Sequence, residues 1–329
     1  MGMKKKMYIQ AVADALAEEM ERDDRVFVIG EDVDIDGGVW NETAGLLERF
    51  GSRRVIGAPI SEGAFTGLAA GAALTGLRPV AEFMYGDFVH VAMDQVANQI
   101  GKIPLMFGGQ AKMPVVVRLC ACGADTREGA QHSQFLESWF CHLPGFTVVA
   151  PGTAADGKGL MKSAIRADKP VIFIEYRNLY YEIQNVPEEE FLVPIGKAAV
   201  RRPGDQVTLV TYGFAGEAAM KAAEAVRDKL SVEVVDLRTL KPWDTETVFA
   251  SVEKTGRLVV AQEAPVTCSV GADVVRRVVA ERFDFLDAQP LVVGAKDVPM
   301  PFNAKLENYT TLSVEDIVAA LETVSIGIM

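Results

Sequence analysis

Short uninterrupted apolar runs alternate along the chain with longer segments of helical period. Met7, Ile9, Val12, Ala13, Leu16 and Met20 recur at three- and four-residue spacing, which predicts a first helix with one apolar face. RVFVIG then reads as a short buried strand that gives way to the polar segment EDVDIDGG. Residues 62–77 read as a helix able to pack on all sides, because Gly63 to Leu77 contains no Asp, Glu, Lys or Arg. RPVAEFM is a strand, VHVAMDQVANQIGKI a helix, and PVVVRLCA a strand opening into the Gly-containing loop CGADTREGAQHSQ. FLESWFCHL is a helix stopped by Pro144-Gly145, and FTVVAP, GTAADGKGLMKSAIRAD and PVIFIEYR follow as strand, helix and strand.

Strands that are apolar on both faces and alternate with helices belong to parallel sheets covered on both sides. The charged, proline-containing segment PEEEFLVPIGKAAVRRPGD interrupts the series and reads as a linker. A second series follows, with strands at QVTLVTYG, SVEVVDLRTL, RLVVAQEA and PLVVGAKDV and a closing helix at SVEDIVAALETV. The expected fold class is α/β, two doubly wound domains with mainly parallel sheets, at 1–187 and 201–329 with a linker at 188–200. A length of 329 residues fits two domains at roughly 100–200 residues each.

Composition narrows the partners. A net charge of −12 argues against nucleic acid or an anionic membrane, both of which call for a basic face. No run reaches the ~20 apolar residues of a spanning helix. Behind MGMKKK comes an acidic amphipathic segment in place of an apolar one, which disfavours export. Cys120 and Cys122 are spaced too tightly for the usual zinc pair, and His90, His132 and His142 make no metal-binding spacing, so no protein-built transition-metal site is expected. Four cysteines in a chain of this length fit reduced thiols and a cytoplasmic location.

Ligands of doubly wound sheets sit at the carboxyl ends of the strands. Four stretches could line such a place: PISE ending at Glu62, EFMYGDF ending at Phe88, GAQHSQ with His132, and the PMPF turn. Glu62 can be a first-turn carboxylate favoured by the helix dipole, worth ~0.3–1 kcal/mol. The apolar run behind it points instead to a carboxyl of raised pKa that shares a proton with a ligand nitrogen. The polar neighbours Gln131, Ser133 and Gln134 set His132 apart from a core histidine. His142 reads as a structural cap, His90 as an exposed helix residue, Met84, Tyr85 and Phe88 as core-facing, and Cys120 and Cys122 as small buried residues. No G-x-G-x-x-G follows a strand, no phosphate-binding P-loop occurs, and the Mg²⁺-diphosphate signature G-D-G…N is missing.

Taken in order, FGSRRVIGAPISE, GLAAGAALTGLRPVAEFM, DQVANQIGK, GAQHSQ, DGKGLMKSAIR, VTLVTYG, VEVVDLRTLKPWD and GRLVVAQEA carry a resemblance that runs nearly end to end. The chain resembles the beta subunit of the thiamine-diphosphate-dependent first component of 2-oxo acid dehydrogenase complexes, of the pyruvate and acetoin types. The resemblance implies a transketolase-like pyrimidine-binding domain followed by a transketolase C-terminal-like domain. It implies an alpha subunit that holds the diphosphate and Mg²⁺, an assembly of two alpha and two beta subunits, and a lipoyl-bearing acyltransferase core as partner. It places Glu62 at the aminopyrimidine ring of thiamine diphosphate, where a shared carboxyl proton favours the imino form. Phe88 would stack on that ring, Ile60 and Met84 would flank it, and His132 would assist acyl transfer to lipoamide. Ala164 and Ile165 fall where some members bind K⁺ through backbone carbonyls, although Ala167 and Lys169 replace polar residues here. The substrate implied is a 2-oxo acid or acetoin. A split transketolase-like carboligase, a branched-chain beta subunit and a non-catalytic scaffold are the rival readings.

Overall fold

The computed structural model describes residues 2–124 and 126–326. Its contacts divide the chain into two compact units, Met1–Cys122 with Trp139–Ile195, and Gly123–Ser138 with Gly196–Met329. The strands are β1 (Met3–Met7), β2 (Val26–Glu31), β3 (Val55–Ala58), β4 (Arg78–Phe83), β5 (Val116–Cys122), β6 (Thr147–Val149), β7 (Val171–Tyr176), β8 (Ile183–Pro187), β9 (Ala199–Arg202), β10 (Val207–Thr211), β11 (Val232–Asp236), β12 (Thr239–Lys241), β13 (Leu258–Ala261) and β14 (Leu291–Val293).

In the first unit a parallel sheet runs in the order β6-β7-β5-β4-β2-β3. β2, β5 and β7 are buried along their whole length, as their mainly apolar sequences require, and each takes one charged residue with it, Glu31, Arg118 and Glu175. The helix Tyr8–Arg22 lies against Ala154–Arg166, close enough that a Cβ on Gly157 would stand 3.0 Å from the Tyr8 ring. Charge ties the same pair: Arg166 Nη2 meets Glu19 at 2.7 Å, and Lys158 and Lys162 meet Glu18 at 2.6 and 2.8 Å. From β2 the chain steps to the edge strand β3, then returns to place β4 on the other side of β2. The strand order therefore reverses between β2 and β4, the kind of place where open α/β sheets bind ligands. The two strands also approach closely there, since a Cβ on Gly30 would fall 2.5 Å from the Glu82 carbonyl oxygen.

The second unit carries a sheet in the order β14-β13-β10-β11-β9, parallel except for the antiparallel edge β9. Its core gathers Leu209, Val234 and Val259 from the sheet with Ala219 and Leu321 from covering helices.

Several elements depart from the expectation. Met7 belongs to β1, which pairs antiparallel with β8, so the first helix starts at Tyr8. The uncharged helix spans Glu62–Leu74 and does not bury all its sides: Phe65, Thr66, Ala69, Ala70 and Ala73 are buried, while Ala64, Leu68, Gly71 and Leu74 are exposed. The segment read as one helix after β4 is a 3-10 turn at Gly86–Ala92, a π-helix at Asp94–Ile100 and an α-helix at Gly101–Met106. The wide π turn ends at Ile100, four residues before Pro104, whose ring could not sit against a regular turn. Inside the stretch read as linker, Ala199–Arg202 is a strand and Val193 is buried. SVEVVDLRTL splits into β11 and β12 around Arg238, whose φ is 56°.

Candidate active site

Glu62 opens its helix directly after Ser61 and is only 6% exposed. A second carboxylate, Glu31, closes β2 and is equally buried. The Ser61 amide donates to Glu31, while Glu31 Oε1 is buried with no hydrogen-bond partner. Burial, then the charges of Glu62 and Asp32, push the Glu31 carboxyl up to about 7. Two buried carboxyls near enough for the charge of one to raise the other, which retains a proton near neutrality, form an arrangement able to hold a proton.

The remaining expected residues of the first unit follow β3 and β4, the strands on either side of β2, at the carboxyl edge of the sheet. Ile60 follows β3 and is 85% exposed, offering an open apolar contact. Met84, Tyr85 and Phe88 follow β4; they are half-buried, not the core residues that their place after a strand predicts. Phe88 stands edge-on to Tyr85 at 6.0 Å between ring centres. Burial of Cys120 and Cys122 follows the expectation. His90 is not on an open face: its ring lies 4.6 Å from Trp139, and its Nε2 is buried. His142 ends the helix Glu137–His142 and is exposed.

His132 is held by the second unit. Its amide donates to the Gly129 carbonyl at 3.2 Å, closing a turn in which Gly129 has a φ of 76°. Upstream, the amides of Thr126 and Arg127 donate to the buried Glu307 carboxylate at 3.1 Å. A Cβ on Gly129 would lie 3.7 Å from Phe302, so the GAQHSQ loop and the PMPF turn meet.

The sequence reading missed Glu31 and a buried charge cluster behind it. Arg118 on β5, fully buried, binds Glu175 on β7 through Nε and Nη2 and Glu82 on β4 through Nη1, and it also donates from Nη1 to the Glu42 carbonyl at 3.2 Å. Burial pushes the Glu82 carboxyl up to about 8 against the pull of Arg118, and raises Glu42 as well. The signal was present: RPVAEFM, PVVVRLCA and PVIFIEYR each carry charge inside an otherwise apolar strand. Charges so placed in buried strands must meet one another.

The chain's fit to the implied groups differs between them. An orphaned carboxyl oxygen at Glu31, the buried Glu62 and the half-open Phe88 ring suit an aminopyrimidine. The K⁺ position does not fit. Of the two carbonyls expected there, that of Ile165 accepts from Arg78 Nη1 at 2.9 Å and that of Ala164 accepts from the Ala167 amide at 3.2 Å, so both are already engaged. Asp168 pairs with the same Arg78 and with Lys112. Among the described residues, no group of three or more His, Cys, Asp or Glu side chains is placed to hold a metal ion. Among the same residues no helix is long and apolar enough to cross a membrane.

Glu31 gives a pH signature. Folded, it holds its proton up to about pH 7; unfolded, it releases it near 4.5. The folded chain binds the extra proton in that window, so stability falls as pH rises from about 4.5 to 7. Glu31→Gln removes this slope. Thermal melts at pH 5 and pH 8 should show a smaller drop in Tm for the variant than for the parent; equal drops would refute the assignment.

The chain is similar to known proteins along nearly its whole length. Residues 4–182 match the family described as transketolase, pyrimidine binding domain, and residues 196–317 match transketolase, C-terminal domain. The pyruvate dehydrogenase E1 component subunit beta of Rhizobium meliloti is 46% identical over 96% of this chain and 69% of its own length. The protein of the same name from Rickettsia felis is 46% identical over 96% and 97%. The acetoin:2,6-dichlorophenolindophenol oxidoreductase subunit beta of Cupriavidus necator is 42% identical over 97% of both chains. A solved structure titled split gene transketolase, inactive beta4 tetramer, shares the fold with a TM-score of 0.81 and 24% identity, covering 97% of this chain and 98% of that one.

Proposed function

The chain belongs to the family of pyruvate and acetoin dehydrogenase beta subunits, built from the two transketolase domains, and we propose that it works as such a subunit, with thiamine diphosphate, only when joined to an alpha subunit. The observation that carries the reading is Glu62 buried beside Glu31 at the point where the strand order reverses. Thiamine diphosphate supplies the electron sink for cleaving the carbon–carbon bond next to a carbonyl. Glu62 offers its carboxyl to a ring nitrogen and shares a proton with it. Glu31, buried against it, keeps a proton within the site near neutral pH. Phe88 presents a ring face to the pyrimidine, and Met84 and Ile60 keep water from its edges. His132, fixed on its turn, handles the proton that accompanies transfer of the acyl group to lipoamide.

The missing G-D-G…N signature supports assigning the diphosphate and Mg²⁺ to the alpha subunit, in an assembly of two alpha and two beta subunits. The lipoyl-bearing acyltransferase core receives the acyl group, and the four free cysteines support a cytoplasmic location. The substrate is pyruvate or acetoin. K⁺ has no part in this reading, since Arg78 engages the Ile165 carbonyl and the Ala167 amide engages that of Ala164. To test it, the chain is paired with a subunit carrying G-D-G…N and assayed on pyruvate, branched 2-oxo acids and acetoin, with thiamine diphosphate and an artificial electron acceptor. Turnover is expected from the pair and none from either chain alone. Equal turnover by this chain without its partner would sink the two-subunit reading.

A further inference from the structure

The loop after β2, residues 32–45, is tightly tied. Asp32, Asp36 and Asn41 take left-handed φ values of 53°, 49° and 65°. The Thr43 amide donates to the Gly37 carbonyl and its hydroxyl to the Val33 carbonyl, each at 2.8 Å. This winding turns Trp40 inward, to 9% exposure, while its neighbour Val39 stays open at 43%. Glu42 fixes the turn from below: its carboxylate accepts the Trp40 amide at 2.5 Å, and its carbonyl accepts from Arg118.

The indole then reaches the segment that follows β4. Its Nε1 donates to the Met84 carbonyl at 2.9 Å. It meets the Tyr85 ring nearly edge-on, 5.3 Å between centres at 81°, and Tyr85 meets Phe88 in the same manner at 78°. The Arg177 guanidinium lies 4.3 Å from the centre of the indole. Trp40 is thus clamped by a cation over its ring and by hydrogen bonds at its amide and ring nitrogens. It passes that order to Met84, Tyr85 and Phe88.

We propose that Trp40 is a positioning residue for the cofactor, holding the Met84–Phe88 segment so that Phe88 presents its face to the aminopyrimidine ring. The inference rests on the thiamine diphosphate reading above. A half-buried Phe88 with no brace behind Tyr85 would sample other rotamers, and the ring would have to order it on binding. The loss should therefore appear in affinity for the pyrimidine part of the ligand, not in turnover once the site is filled.

The experiment uses the complex with the alpha subunit and compares the parent with Trp40→Leu and Trp40→Phe. Dissociation constants are measured for thiamine diphosphate and for inorganic pyrophosphate, which lacks the pyrimidine. Trp40→Leu should weaken thiamine diphosphate about tenfold, raise its KM in step, and leave saturated kcat and pyrophosphate affinity near the parent values. Trp40→Phe keeps a ring against Tyr85 but loses the bond to Met84, and should fall in between; it decides the matter if the leucine variant fails to assemble. Unchanged thiamine diphosphate affinity, or equal weakening of both ligands, overturns the proposal. A parent complex that binds pyrophosphate but not thiamine diphosphate would instead overturn the cofactor reading, and this proposal with it.

Discussion

Glu62→Gln should lower turnover of the assembled enzyme by about two to four orders of magnitude, the range expected for loss of a positioned proton-transfer group. Glutamine matches glutamate in shape, and Glu62 is 6% exposed, so packing is kept and only the exchangeable proton is lost. A second readout separates lost chemistry from lost structure. The charge of Glu62 is one of the causes that raise Glu31. Neutralising it should let the Glu31 carboxyl fall back toward the ordinary range, and the fall in stability with rising pH should then end at a lower pH. Titrating Tm against pH in parent and variant checks this. Turnover within a few-fold of the parent would remove Glu62 from the proton path.

The largest effect on stability is expected at Arg118. It lies fully buried among Glu82, Glu175 and Glu42. Arg118→Met leaves buried carboxylates without their cation, and removing one partner of a buried ion pair costs about 3–5 kcal/mol. Glu82→Gln should cost much less. Its carboxyl is pushed up to about 8 and is mostly protonated at pH 7, so an amide resembles the form it already takes. Because that raised carboxyl destabilises the fold as pH climbs from about 4.5 to 8, the glutamine variant should gain on the parent above pH 8. Urea unfolding at pH 7 and pH 9 measures both. Similar losses for the two variants would mean that the cluster is not organised around Arg118.

Much of this was legible in the chain itself. Strands such as VFVIG and FTVVA are apolar on both faces, and a parallel sheet covered on two sides buries such runs. Glu62 stood out because an uncharged stretch follows it directly. The stretch was nonetheless overread. A helix without charge need not be buried all round, and Leu68 and Leu74 remain exposed, 51% and 45%, in the single chain. His90 looked like a surface residue because local spacing cannot show that Trp139, far along the sequence, covers its ring.

What the sequence by itself determined was the alternation of strand and helix, two parallel-sheet domains, and single candidate residues at strand ends. Those follow from periodicity and from the burial needs of apolar runs, which are local properties. Only the tertiary structure decided which of those ends meet. Glu31 and Glu62 lie on different elements, and the charge of Glu62 raises the Glu31 carboxyl because the fold sets β3, which leads into the Glu62 helix, beside β2. Trp40 joins Met84 only because a loop wound through left-handed turns folds back across the sheet. A carboxyl's proton affinity and a ring's orientation are set by neighbours brought together from distant parts of the chain, and no local pattern encodes that proximity.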